Sequence, residues 1–228
     1  MNRCFRKAVL IKLLVLPASA HPGRHPMYEL LVLALLMHWP LHAYRIVKIA
    51  GEIVGPEEQI STGTLSTVLS QLVKAQLIIP ADPTETPFPS DRPSRVYAIT
   101  QAGRDRFGEL MLDVSSHPGT VRRLFHIKAL HLEWLPPASQ LFLVEYYLSY
   151  CRKFLSTKHV DARDMGEHRL KQEHMSPAFH EAATALIHLK IDQWQLELAW
   201  ALSLREQVIA RLKLSDEAEP AAATENPT

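Results

Sequence analysis

The sequence predicts a mainly α protein: an N-terminal winged helix-turn-helix with a two-stranded wing, followed by an all-helical domain. Three observations predict it. Apolar residues recur at helical spacing in three successive segments of 27–76. Two short β-forming runs then enclose a proline-rich loop, and everything beyond residue 120 returns to helical periodicity. With 228 residues, the chain is long enough for one large domain or two small ones, each with a real core.

"MYELLVLALLMHW", 27–39, is apolar on nearly every side, too long for one strand and too short for a bilayer, so it reads as a buried helix ended by Pro40. "LHAYRIVKIAGEIVG" follows, with Tyr44, Val47, Ala50, Ile53 and Val54 as its stripe and Gly55-Pro56 as its close. Ser61 is a good N-cap for a third helix reaching about Gln76, with a comb of Leu65, Val68, Leu69, Leu72 and Val73. "LIIPA" and "SRVYAIT" read as antiparallel strands. Pro83, Pro87, Pro89 and Pro93 between them argue against regular structure. Thr100 caps "QAGRDRFGELMLDV", and 115–119 is a loop at a domain boundary.

Beyond it, "VRRLFHIKALHLEWL" ends at Pro136-Pro137, and "ASQLFLVEYYLSYCRKFL" is a long helix. The polar stretch 156–177 reads as a connection, partly helical. In the last helix Ile187, Ile191, Trp194, Leu198, Ala201, Arg205, Val208 and Leu212 are spaced 4-3-4-3-4-3-4, a heptad seam broken by one arginine. A second stripe, Leu186, Leu189, Leu196, Trp200 and Leu204, shares that helix. Two apolar faces on one helix need two covers, one inside the subunit and one from a second copy. The expected domains are therefore a 1–26 extension, a winged helix over 27–114, a helical dimerisation and effector domain over 119–213, and a tail, 214–228, disordered by composition.

Bulk charge announces no partner: Lys plus Arg is 25 and Asp plus Glu is 24. Cys4 and Cys151 are the only cysteines and lie far apart, which argues for a reducing compartment. No run reaches the roughly 18 apolar residues of a membrane span. Residues 1–26 carry three readings: an extension ahead of a start at Met27, a short amphipathic helix, or a secretory signal ending at Ala18-Ser19-Ala20.

Together these pieces resemble the PadR family of transcriptional regulators. The likeness runs over about 27–213 and rests on the HAY segment at 42–44, the Gly63-Thr64-Leu65 helix start, the Tyr97-to-Gly103 junction and the C-terminal "LELAWALSL". The resemblance implies a cytoplasmic homodimer, paired through its C-terminal helices, that binds operator DNA, usually as a repressor, and responds to a small aromatic effector. The chain departs from the family at Ser66, where Tyr is common, and at Gln71, where a basic residue is often found.

In that frame the face opposite the comb acquires a purpose. Ser and Thr bond several bases, a Thr methyl meets the thymine methyl, and Gln bonds adenine through two hydrogen bonds. Thr62, Thr64, Ser66, Thr67 and Gln71 are the expected base contacts, with Lys74 on the phosphates and Arg92 and Arg95 on the wing. Ile187, Ile191, Trp194, Leu198, Ala201 and Val208 are the expected dimer interface. Charge pulls the other way: residues 27–112 hold seven basic and nine acidic side chains, a net of −2. An adaptor that kept the winged helix and lost its operator is the alternative reading.

Neither His126 with His131 nor His168 with His174 has the i,i+4 spacing of a helical metal pair, and no cofactor is expected. Trp134, Trp194, Trp200, Tyr146, Tyr147 and Tyr150 read as core and seam aromatics or as walls of an effector pocket, whose residues stay unassigned. No nucleophile–base pair, carboxylate pair or phosphate-cradling glycine loop points to an enzyme.

Overall fold

A computed structural model of the chain describes residues 26–55, 61–90, 94–117, 119–167 and 176–222, with side chains as far as 214. It divides into two compact units, with the division between Ile127 and Lys128, beyond the loop where the sequence placed it.

In the first unit, helix α1 (Pro26–Leu36) buries Leu30 through Leu36 continuously. A helix apolar on every side must be enclosed, and α1 touches three helices and a strand: α2 (Ala43–Val54), α3 (Thr62–Lys74), α4 (Gln101–Leu112) and β3 (Val96–Ile99). Helix α2 turns a narrower face inward than its stripe suggested. Ile46 and Ala50 are fully buried, while Tyr44, Val47, Ile53 and Val54 are half-exposed.

The comb of α3 is seated as expected, with Leu65, Val68, Leu69 and Leu72 buried and Val73 half-buried. Ser61 caps the helix by accepting from Thr64 N at 3.0 Å. At its far end Leu77 N donates to Leu72 O and Gln76 N to Val73 O, so the last carbonyls are satisfied in the double pattern of a Schellman cap. That cap needs a left-handed residue, and Gln76 supplies it at φ 57°.

The two strands of the wing are present as expected, and a third, two-residue strand joins their sheet. Order is β1 (Leu41–His42), β3, β2 (Ile78–Ala81), antiparallel throughout, with Leu41 opposite Tyr97 and Ile78 opposite Ile99. Two residues carry no visible alternation, so β1 leaves no periodic signal. Pro80 lies in β2, at the sheet's edge, where a missing N–H is tolerated. The proline-rich loop is not wholly irregular: Pro83–Glu85 form one 3-10 turn. Asp82 accepts from Thr84 N at 2.8 Å and from its hydroxyl at 2.7 Å, and Glu85 Oε1 accepts from Asp82 N at 3.1 Å.

Thr100 caps α4 by accepting from Gly103 N at 3.0 Å. The same hydroxyl lies 2.8 Å from Gln76 O and 3.0 Å from Leu77 O, and Thr100 N donates to Leu77 O at 3.1 Å. The end of α3, the start of β2, the end of β3 and the start of α4 thus share one corner. Nearby, buried Glu29 of α1 accepts from Arg106 Nε at 3.0 Å, and Arg106 also pairs with Glu109 at 2.9 Å. Burial works against the Arg106 charge, but its bonds to the two carboxylates outweigh it and raise its pKa.

Helix α5 (Val121–Ala129) stops short of the expected end at Leu135; a separate 3-10 turn covers Leu132–Trp134. Two helices dominate the second unit, α6 (Pro137–Glu167) and α7 (Pro177–Ala222). Both outrun their expected ends, and α7 takes in much of the tail expected to be disordered. Extending an existing helix avoids the cost of nucleation, so polar stretches rich in Asp, Glu and Ala continue it. Residues 1–25, with their three readings, and 223–228 lie outside the described residues.

Helices α6 and α7 pack along the heptad seam. Ile191, Trp194, Ala201 and Val208 are buried, Ile187 and Leu198 half-buried. Trp194 stacks on Phe154 with centroids 4.3 Å apart and meets Tyr150 edge-on at 5.6 Å. Fully buried Tyr147 donates its hydroxyl proton to Glu197 at 2.6 Å. The arginine that interrupts the seam, Arg205, pairs with Glu145 of α6 and with Glu206. Within the single chain these seam residues face α6. The outer stripe is the uncovered one, with Leu186, Leu189, Leu196 and Trp200 exposed, Leu196 by 75%.

Candidate nucleic-acid interface

The outward face of α3 is defined by what its apolar comb leaves over. Thr62, Ser66, Thr67, Ser70 and Lys74 are exposed, and Thr64 and Gln71 are half-buried. No carboxylate lies on this helix. Of the expected contacts, the structure therefore brings Thr62, Thr64, Ser66, Thr67, Gln71 and Lys74 together on one helix whose inner side is fixed by core packing. Arg95 stands exposed beside β3, and Arg92 lies outside the described residues. Ser70 belongs to the same face; its place one turn past Ser66 was the available signal.

The hydroxyls are not idle. Thr67 Oγ1 donates to Gly63 O at 3.0 Å, Ser70 Oγ to Ser66 O at 2.9 Å, and Ser61 and Thr64 share a bond of 2.8 Å. Such i−4 bonds hold the side chains against the helix and leave oxygen lone pairs facing out. Thr62, Ser66, Gln71 and Lys74 make no side-chain hydrogen bond to another described residue. This is a surface of short, neutral, ordered groups, suited to the close approach of a base edge.

The wing adds residues that sequence reasoning missed. Phe88 meets Trp39 edge-on at 5.7 Å, and the Arg45 guanidinium lies 4.7 Å from its ring centroid. An aromatic between Pro87 and Pro89 in a polar loop was the available signal, since it needs an apolar partner somewhere. Acidic groups of the loop are occupied locally: Thr84, through its hydroxyl and then its backbone N–H, holds the Asp82 carboxyl below its ordinary pKa.

Among the described residues no group of His, Cys, Asp and Glu is placed to hold a metal, and no helix is long and apolar enough to cross a membrane. His168 and His174 lie outside the described residues. Trp194, Tyr147 and Tyr150 belong to the packed contact between α6 and α7.

Residues 32–109 match the PadR-like family of transcriptional regulators. No curated protein matches the chain. Among solved structures, Bacillus subtilis PadR in complex with operator DNA is 18% identical, over 81% of this chain and 99% of that one, at a TM-score of 0.36. The same protein in complex with p-coumaric acid is 17% identical over 80% and 98%, at 0.34. The Vibrio cholerae virulence activator AphA is 17% identical over 81% and 99%, at 0.33.

Proposed function

We propose that the chain, whose residues 32–109 match the PadR-like family of transcriptional regulators, binds operator DNA as a homodimer in the cytoplasm. The observation that carries this is the carboxylate-free α3 face, Thr62, Thr64, Ser66, Thr67, Gln71 and Lys74, held outward by the burial of Leu65, Val68, Leu69 and Leu72. Thr62, Thr64, Ser66, Thr67 and Gln71 meet base edges in the major groove, while Lys74, Arg92 and Arg95 meet phosphates. Repression is the proposed outcome, by occupation of promoter DNA, and a small aromatic molecule is the proposed effector. No catalytic role and no cofactor is part of the proposal.

Dimerisation is proposed through the outer stripe of α7, not through the heptad seam. Leu186, Leu189, Leu196 and Trp200 form an exposed apolar line that a second copy would cover.

The test is specific binding to the DNA upstream of the protein's own gene. Thr64→Ala and Gln71→Ala are expected to weaken the specific complex by about fivefold to a hundredfold each, as loss of a base contact does, while sparing non-specific binding. Two variants that bind like the parent would overturn the α3 assignment. A parent that discriminates no sequence at all would favour the adaptor reading, to which the net −2 of residues 27–112 lends support.

A further inference from the structure

The β2–β3 ladder ends at the pair Ala81 and Val96. Beyond it the described residues of the wing loop, 82–90 and 94–95, have no strand partner, and a 3-10 turn covers Pro83–Glu85. Contacts to both limbs come from one short segment, 39–45, which runs from just past the end of α1 into the first turn of α2. On the outgoing limb, Phe88 is half-buried between exposed Pro87 and Pro89, with Trp39 against one part of its ring and Arg45 over its face. On the returning limb, His42 Nδ1 lies 3.3 Å from Ser94 O, and Ala43 N donates to Arg95 O at 2.9 Å.

Arg45 is the telling member. Its Nε is buried and has no hydrogen-bond partner among the described residues. A guanidinium so placed is held by the ring it covers, because a planar cation on an aromatic face is attracted by the ring's negative centre.

We propose that Phe88, clasped by Trp39 and Arg45, is the positioning residue that presents the wing and Arg95 to DNA. This rests on the DNA-binding reading above. A loop already fixed in its bound arrangement loses little freedom on association, whereas a loose one must be ordered at a cost in affinity. Arg95, on the limb next to the clasp, is the exposed cation whose placement depends on it.

The experiment compares the full-length parent with Phe88→Ala, Phe88→Tyr and Arg45→Lys on the upstream DNA, by affinity at several salt concentrations and by hydroxyl-radical footprinting. Amide exchange of residues 82–95 is read on the free proteins. Phe88→Ala is expected to weaken binding about tenfold, to flatten the salt dependence by about one phosphate contact per subunit, and to erase protection flanking the major-groove contact. The major-groove protection itself stays, and exchange rises in 82–95 alone. Phe88→Tyr restores all of these. Arg45→Lys keeps the charge, loses the planar face and behaves as Phe88→Ala, which makes it a second probe should the alanine variant fold poorly.

Parental affinity and footprint for Phe88→Ala would overturn the proposal, as would a tyrosine that restores nothing or a lysine that matches the parent. A parent that protects no fragment would overturn the DNA-binding reading, and the wing's role with it; parental binding with an indifferent Phe88 overturns the clasp alone.

Discussion

At Gly103 an added Cβ would stand 2.1 Å from the Leu77 carbonyl oxygen and 2.7 Å from Ile99 Cγ1. The first of those neighbours is backbone, already fixed by two bonds from Thr100, so it has no side chain to swing away. Gly103→Ala is therefore expected to destabilise the first unit by about 3 kcal/mol, the upper end of ordinary overpacking, read as a lower midpoint in urea unfolding. Gln76 is the opposite case. It is exposed and occupies the left-handed region at φ 57°, where a side chain is disfavoured and glycine is not. Gln76→Gly is expected to raise stability by about 1 kcal/mol in the same measurement, since the relief of the folded state exceeds glycine's extra freedom when unfolded.

At the scale of elements, the packing of α6 against α7 leads to a pH effect. Tyr150, between Tyr147 and Trp194, has its phenol pushed above the ordinary value of 10.0, first by burial and then by the neighbouring Cys151 and Tyr146. A raised folded pKa means that its stabilising share is whole below pH 10 and is lost as pH climbs through the folded value. Melting temperatures measured above pH 10 should therefore fall less steeply for Tyr150→Phe than for the parent.

The elements also differ in how plainly the sequence announces them. Ser61 and Thr100 were legible as caps because their hydroxyls act on backbone N–H groups three residues away, a strictly local matter. Burial of α1 was legible from its unbroken apolar run. Two-residue β1 was not, since it exists only because β3 offers it a partner more than fifty residues on. The seam of α7 was legible as a seam but not as to what covers it. A heptad repeat states that a helix has a partner, and here that partner is α6 of the same chain. The Phe88 clasp was illegible for the same reason, its two partners lying in a segment far upstream.

For the molecule as a whole, the exposed stripe of α7 is the surface proposed to pair two copies. Leu196 is the most exposed of its members, at 75%, so little of its surface is buried within the chain. Leu196→Glu is expected to leave the monomer fold intact and to weaken self-association by about tenfold or more, because an unpaired charge would then be buried at the contact. Sedimentation equilibrium across a dilution series checks this, and an unchanged association constant would place the dimer elsewhere. Because residues 27–112 carry a net charge of −2, one copy has little electrostatic attraction for DNA, and on the proposed dimer reading losing that contact should cost most of the operator affinity.

The corner at Leu77 has one more consequence. Thr100 spans it with a single hydroxyl and a single amide, so the end of α3 and the end of β3 are tied together where they meet. If α3 contacts bases as proposed, a duplex of unusual groove width is expected to be met by tilting α3 and β3 together, or by the DNA's own bending, more than by flexing one against the other.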